Sequence, residues 1–353
     1  MKQKKISFIS SAIQQPRHQK RISKLRENNI VRLYYSIRPQ YKKNLEGFDK
    51  KGVFLGVVEN KKYHKRFFYM LKLTVYLIFD KNKNIYCTSR EQALIAILLK
   101  KKVVLELGDI NHPSRFVNTF YSIESFILKR ISGLVVTSPY FLSGYFSKFD
   151  NYKNVDSFIL ENKLPFSVDV TVEEYRNNYI NYSPESVKKI GLIGSIRFPK
   201  MLIEIKKLVS KRKDIELHIF GDGCLSIFES LDNCIIHGPF KNPDELAEIY
   251  SSIHVNIILY DVKSEGVKLA LPNKLYESIG FLRPIICAKG CALSAEVEKL
   301  EIGLATELDC LEETVDAVFE NYNKHVQNIK RLPKDKYLDN QSSLQSFVES
   351  AYK

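Results

Sequence analysis

Lys274 and Glu277 stand three residues apart in the segment 271–287, LPNKLYESIGFLRPIIC, and that spacing puts an ammonium and a carboxylate on one face of a helix. Pro272 suits the first helical turn, where its missing N–H costs nothing. Leu275, Ser278 and Ile279 supply an inward face, Gly280 stops the helix, and residues 284–287 read as the next, buried strand. Near a helix N-terminus, which favours anions, Lys274 can meet a phosphate. Glu277, one turn on, can accept two hydrogen bonds from a ribose diol. That is the chemistry of a nucleotide-sugar site. The same spacing also makes an ordinary surface ion pair, and the segment alone leaves both readings open.

The elements that would position such a pair can be read outward from it. In the second half, KIGLIGS (189–195) is a strand ending in small residues, followed by a helix at 200–211. IELHIF (215–220) runs into Gly221-Asp222-Gly223, and the strand 234–237 runs into Gly238-Pro239-Phe240. A helix at 243–251, a strand at 255–260 and a last strand at 302–306 complete the set. Small residues at strand ends let ligand and backbone approach closely at the carboxyl edge of a parallel sheet. The first half alternates in the same way, with strands at 5–10, 31–35, 53–58, 85–88, 103–107, 134–137 and 157–160. Helices at 16–28, 90–99 and 117–131 fall between them, so both halves read as α/β with parallel sheets. The expected organisation is a first domain over 1–167, a polar linker over 168–187, and a second domain over 188–335. A C-terminal helix over 336–353 is expected to pack back towards the first domain.

Together the pieces GLIGSIR (191–197), LHIFGDG (217–223), IHGPF (236–240), YSSIHVNIILY (250–260) and LPNKLYESIGFLRPII resemble the donor domain of GT-B glycosyltransferases. The likeness is to family 4-like enzymes of bacterial surface polysaccharide synthesis, and it covers roughly residues 188–306. The first half matches more loosely, through ISSAIQQPRHQKRI, VVLELGDINHP, GLVVTSPYF and ILEN. The resemblance implies two Rossmann-like domains facing a central cleft. It further implies a nucleotide-sugar donor, by family frequency a UDP-sugar, and retaining transfer without a bound metal or other cofactor. In that frame Glu277 binds the donor ribose and Arg197 neutralises the diphosphate, with Lys200 or Lys274 as a second cation. Gly194, Gly221, Asp222 and Phe240 lie beside the nucleotide. Asp109 and His112, after the strand VVLEL, sit on the acceptor side, where Arg17 can touch a phosphate. Asp109, His112 and Arg197 are thus the catalytic candidates. His112 precedes Pro113 and can equally order its loop, and Arg197 can equally face solvent. Two departures stand out: Leu269 occupies the position eight before Glu277 where the family commonly has a second glutamate, and Lys200 follows Arg197 by only three residues. A nucleotide-sugar 2-epimerase of the same fold, or a weakly active partner subunit, are the alternatives.

Composition narrows the partners. The chain of 353 residues carries a formal charge of +14, and the charge is uneven. Residues 1–165 hold 31 Lys/Arg against 12 Asp/Glu, so the basic excess lies wholly in the first half. No nucleic-acid motif or stacking platform accompanies it, which leaves a phosphorylated substrate, an anionic membrane surface, or simply a solvated lysine-rich surface. KKYHKRFFYMLKLTVYLIF (61–79) joins a basic cluster to an apolar run too short to span a bilayer. It reads either as a membrane-surface face that brings the protein to a polyprenyl-diphosphate-linked glycan acceptor, or as a buried helix. The N-terminal MKQKKISFISSAI reads as a first strand and not as a signal peptide. Six scattered cysteines lack the histidine or second pair of a metal site. The expected location is cytoplasmic, peripheral at the inner face of the membrane.

Overall fold

The computed structural model describes residues 3–39, 51–59, 62–110, 117–179, 182–183, 187–339 and 342–353. The chain divides into two compact units, Met1–Leu160 with Gln341–Lys353, and Glu161–Asn340.

The first unit is built on seven parallel strands: β1 (Lys4–Ser10), β2 (Asn29–Ile37), β3 (Val53–Val57), β4 (Asn84–Cys87), β5 (Lys102–Leu107), β6 (Gly133–Val136) and β7 (Ser157–Ile159). Their order is β3-β2-β1-β4-β5-β6-β7, so the direction of winding reverses between β1 and β4. The helices α1 (Pro16–Asn28), α2 (Tyr63–Phe79), α3 (Arg90–Leu98) and α4 (Val117–Leu128) are the crossovers. Apolar runs buried on both faces make this sheet: Ile6, Phe8, Val104 and Val135 share one core with Ile22 and Leu25 of α1. Helix α2 turns Tyr69, Leu73 and Leu77 inward at helical spacing, yet Phe67, Phe68, Leu71, Ile78 and Phe79 are each more than half exposed. Its outward face is therefore apolar as well.

The second unit opens with β8 (Leu164–Pro165) and α5 (Asp169–Asn177). The sequence predicts a linker over 168–187, and α5 corrects that reading. Val172 is buried and Arg176 donates to the carbonyls of Ile279, 2.8 Å, and Lys330, 3.2 Å. A narrow apolar stripe and hydrogen bonds hold this helix, so its polar composition misleads. Six parallel strands follow: β9 (Lys188–Ile196), β10 (Ile215–Gly223), β11 (Cys234–Gly238), β12 (Val255–Ile258), β13 (Ile285–Ala288) and β14 (Gly303–Thr306). They lie in the order β11-β10-β9-β12-β13-β14, with the reversal between β9 and β12. The intervening helices are α6 (Pro199–Lys211), α7 (Leu246–Ser251), α8 (Glu265–Lys268), α9 (Asn273–Gly280) and α10 (Ala292–Lys299), followed by α11 (Leu311–Glu320) and α12 (Tyr322–Arg331). Ile190, Leu217, Ile219 and Val255 of the sheet pack with Leu202 and Ile205 of α6 and Val315 of α11. A two-residue strand β15 (Leu338–Asp339) pairs with β8. The last helix, α13 (Ser342–Ala351), belongs to the first unit, where Leu344, Val348 and Tyr352 join the β1–α1 core.

The six cysteines are free. Burial pushes the Cys87 and Cys287 thiols up, whereas Cys310 is exposed. Among the described residues no helix is long and apolar enough to cross a membrane, and no group of acidic, histidine and cysteine side chains could hold a metal ion.

Candidate functional site

In the second unit the winding reversal between β9 and β12 opens a crevice at the carboxyl ends of the strands, where an α/β sheet receives ligands. The tips of β9 and β10 run side by side, pairing Gly194 with Gly221 and Gly223 with Ile196. Gly221 takes φ +142°, and a Cβ there would lie 1.7 Å from the Gly194 carbonyl oxygen. Gly194, at φ +106°, would carry its Cβ 3.1 Å from Lys274 Cε. Bare backbone is thus a steric requirement here, and it leaves the strand tips open to a ligand.

Helix α9 begins after Pro272, which stands just outside the first turn and makes no side-chain capping hydrogen bond. Lys274 Nζ donates to Glu277 Oε2 at 2.8 Å and stands 5.6 Å from the Phe240 ring centre. Glu277 is 3% exposed. Its Oε2 also accepts from Tyr250 Oη at 3.0 Å, and its Oε1 accepts from Asn242 Nδ2 at 3.2 Å. Burial, and then the Glu277 charge, push the Tyr250 phenol well above its ordinary value, so it stays a donor. A carboxylate offers roughly four acceptor positions, and three are used. A diol that takes two must therefore use the remaining one and displace Asn242 or Lys274.

Arg197 follows β9 directly and is exposed, its guanidinium 5.1 Å from the Phe198 ring centre. Phe198 in turn packs against Tyr260, 5.6 Å between centres. Burial raises the Tyr260 phenol to about 12, with the Arg197 charge opposing and the Glu277 charge adding. Lys200 lies exposed in the first turn of α6, and Asp222 is exposed at the tip of β10. The structure thus gathers Gly194, Gly221, Phe240, Lys274 and Glu277 into one contact network, while Arg197 stacks on Phe198 and, through it, next to Tyr260. The sheet topology sets the amino ends of α6 and α9 at the same carboxyl edge, which favours an anion. Tyr250 and Asn242 escaped the sequence reading. Tyr250 looks like core on an amphipathic helix, and only its hydroxyl partner reveals its role.

The first unit presents a different set. Arg17, in the first turn of α1, places its guanidinium over Gly108, where a Cβ would come within 1.5 Å of Nη1. Its Nη2 reaches Asp109 Oδ2 at 3.5 Å, so these two candidates do meet. Arg17 Nε donates to His18 Nε2 at 3.4 Å, while His18 Nδ1 donates to the Ala12 carbonyl at 2.9 Å. His18 is wholly buried, and burial together with the neighbouring Arg17 charge holds its pKa well below 6.5. It is a neutral support for Arg17, unannounced in the sequence. His112 and its neighbour Asn111 lie outside the described residues.

No family model matches the chain. It is similar to the succinoglycan biosynthesis protein ExoL of Rhizobium meliloti, 30% identical over 185 residues, which is 49% of this chain and 45% of ExoL. The chain therefore spans less than half the length of the curated relative it matches. Among solved structures it is similar to Anabaena HepE in complex with UDP-glucose, with a TM-score of 0.69, 12% identity and 99% of both chains covered. Sucrose-phosphate synthase from Thermosynechococcus elongatus gives a TM-score of 0.68 at 11% identity, covering 99% of this chain and 98% of its own. A Listeria monocytogenes protein assigned as a UDP-N-acetylglucosamine 2-epimerase gives 0.59 at 11% identity, with 99% and 94% covered. The fold is GT-B.

Proposed function

We propose that this protein is a glycosyltransferase that moves a sugar from a UDP-sugar to a glycan or polyprenyl-diphosphate-linked acceptor in surface polysaccharide synthesis. The observation that carries the reading is the Lys274–Glu277 pair, 2.8 Å apart, at the winding reversal beside the bare tips of β9 and β10. The HepE complex with UDP-glucose and the partial match to ExoL support it.

In this reading Glu277 exchanges Asn242 or Lys274 for the ribose hydroxyls. Lys274, released or shared, turns to the diphosphate together with Arg197 and Lys200. A leaving diphosphate needs its developing charge neutralised, and these cations with the helix amino ends supply that without a metal. Transfer with retention of configuration is part of the same reading. Asp109, Arg17 and His112 belong to the acceptor side, and the protein works at the inner face of the cell membrane. The nucleotide-sugar is a substrate, and no cofactor is invoked.

Calorimetric titration with UDP, GDP and UTP, with and without magnesium, tests the donor assignment. The expected result is selective, metal-independent UDP binding that falls at least tenfold in Glu277→Gln while the melting temperature still reports a folded chain. Unchanged UDP affinity in that variant would remove Glu277 from the site. Isomerisation of a UDP-sugar without any acceptor would favour the epimerase instead. Leu269, in place of a second carboxylate, is the residue that keeps a non-catalytic subunit in view, and absence of all nucleotide binding would select it.

A further inference from the structure

The first unit contains a pocket of about 130 Å³ at the carboxyl ends of β1, β2 and β4, where Ser11, Ser36, Arg38 and Ser89 meet Tyr69 of α2 and Gln92 of α3. That volume equals about four waters, too small for a nucleotide and adequate for one phosphate group. Arg38 follows β2, and the wholly buried Gln14 clamps its backbone: Gln14 Nε2 donates to the Arg38 carbonyl at 2.8 Å, and Arg38 N donates to Gln14 Oε1 at 2.9 Å. Its Nε is buried with no hydrogen-bond partner among the described residues, a donor that a native fold rarely leaves unused.

The pocket has two carboxylates in its wall, and both are already taken. Glu59 pairs with Lys62 and Lys65, which hold its carboxyl down at about 2, and Glu91 pairs with Arg66. Arg38 has no carboxylate partner among the described residues, so it is the surplus positive charge. Two hydroxyls add donors. Ser11 Oγ accepts from Thr88 at 3.1 Å and keeps its own proton, and Ser89 begins α3 without a capping bond from its side chain. A guanidinium on an anchored backbone, with flanking hydroxyls, is chemistry for an oxyanion. Helix α2 lends Arg66, Tyr69 and Met70 to the pocket wall, while Phe67, Phe68 and Leu71 of the same helix stand more than half exposed. A phosphate in the pocket therefore has an apolar surface beside it, at the separation of one helix.

We propose that this pocket, centred on Arg38, binds the phosphate of a lipid-linked acceptor, with the hydrocarbon chain lying along the exposed face of α2. The acceptor role rests on the glycosyltransferase reading; the binding itself does not. The test titrates pyrophosphate, farnesyl diphosphate and farnesol into the full chain with UDP present at saturation, comparing wild type, Arg38→Gln and Leu71→Ser. Pyrophosphate should bind at least tenfold more weakly to Arg38→Gln. Farnesyl diphosphate should bind wild type at least tenfold more tightly than pyrophosphate, and Leu71→Ser should shrink that gain. Equal pyrophosphate affinity in wild type and Arg38→Gln, with both melting normally, would overturn the pocket. Equal affinity for pyrophosphate and farnesyl diphosphate would overturn the lipid as the source of the phosphate. If UDP itself does not bind, the donor reading falls, and the Arg38→Gln comparison still decides the pocket.

Discussion

The carboxyl edges of the two sheets are built from opposite materials. In the second unit the edge is stripped to backbone by Gly194 and Gly221, and the Lys274–Glu277 pair, largely buried, is carried by a short helix. In the first unit long side chains fill the equivalent edge: Arg17 lies over Gly108, and Arg38 is held by Gln14. The first arrangement is rigid and suits a ligand whose shape is fixed, such as a nucleotide. The second can adapt, because guanidinium ends move at little cost while backbone carbonyls do not. Each half also uses one buried neutral group to aim a charged one, Tyr250 for Glu277 and His18 for Arg17.

If the contrast holds, the largest effect belongs to Gly221→Ala. Its new Cβ would meet the Gly194 carbonyl oxygen at 1.7 Å, and alanine resists φ +142°. Collision and backbone strain together should cost about 3–5 kcal/mol, read as a loss in urea-induced unfolding of the second unit. A cost below about 1 kcal/mol would show that this edge can move and would dissolve the distinction. Tyr250→Phe comes next. It removes a hydrogen bond to a buried carboxylate, for about 2 kcal/mol, and should weaken UDP binding without altering which nucleotide is preferred. Equal stability of the variant would mean that Glu277 is aimed by Lys274 and Asn242 alone.

The same contrast explains what could be read in advance. The Lys274–Glu277 pair, its helix and the glycine-ended strands lie in contiguous pieces, so local pattern pointed to them, and the family resemblance supplied the roles of the other residues at this edge. The α/β class with parallel sheets followed from short β-branched runs between amphipathic helices, whereas the strand orders are visible only in the structure. The first unit's pocket draws Ser11, Arg38, Tyr69 and Ser89 from separate crossovers, and no periodicity joins residues that far apart. Helix α5 was missed for a related reason: Val172 and Tyr175 give it only a thin stripe, and Arg176 holds it through carbonyls that exist only once α9 and α12 have folded.

Acid should expose the second unit's dependence on a neutral histidine. His254 Nδ1 accepts the Lys189 N–H at 3.1 Å at the start of β9, a bond that protonation destroys. Burial, then the Arg283 charge, lowers its pKa from 6.5 to about 4. The unfolded chain thus takes up a proton between those values while the folded one does not. Its contribution is complete above pH 6.5 and is lost as pH falls towards 4, by about 1–2 kcal/mol after allowance for its partial exposure. Unfolding curves across that range should flatten in His254→Gln, and an unchanged slope would assign the acid sensitivity to other groups.

The smallest expected effect is the sharpest test of the comparison, because it repeats the first substitution in the other unit. Gly108→Ala also creates an impossible contact on paper, 1.5 Å to Arg17 Nη1. The three nearest atoms it would strike all belong to the end of one arginine side chain. That guanidinium can swing out, exchanging its 3.5 Å approach to the exposed Asp109 for water, so the expected cost is under about 1 kcal/mol. Nucleotide binding in the second unit should be untouched, whereas any transfer that depends on Arg17 should fall. If Gly108→Ala instead cost its unit as much stability as Gly221→Ala is expected to cost the other, Arg17 would be as fixed as a backbone carbonyl. The first edge would then be a preset site, and the acceptor would have to match it as closely as the nucleotide matches the second.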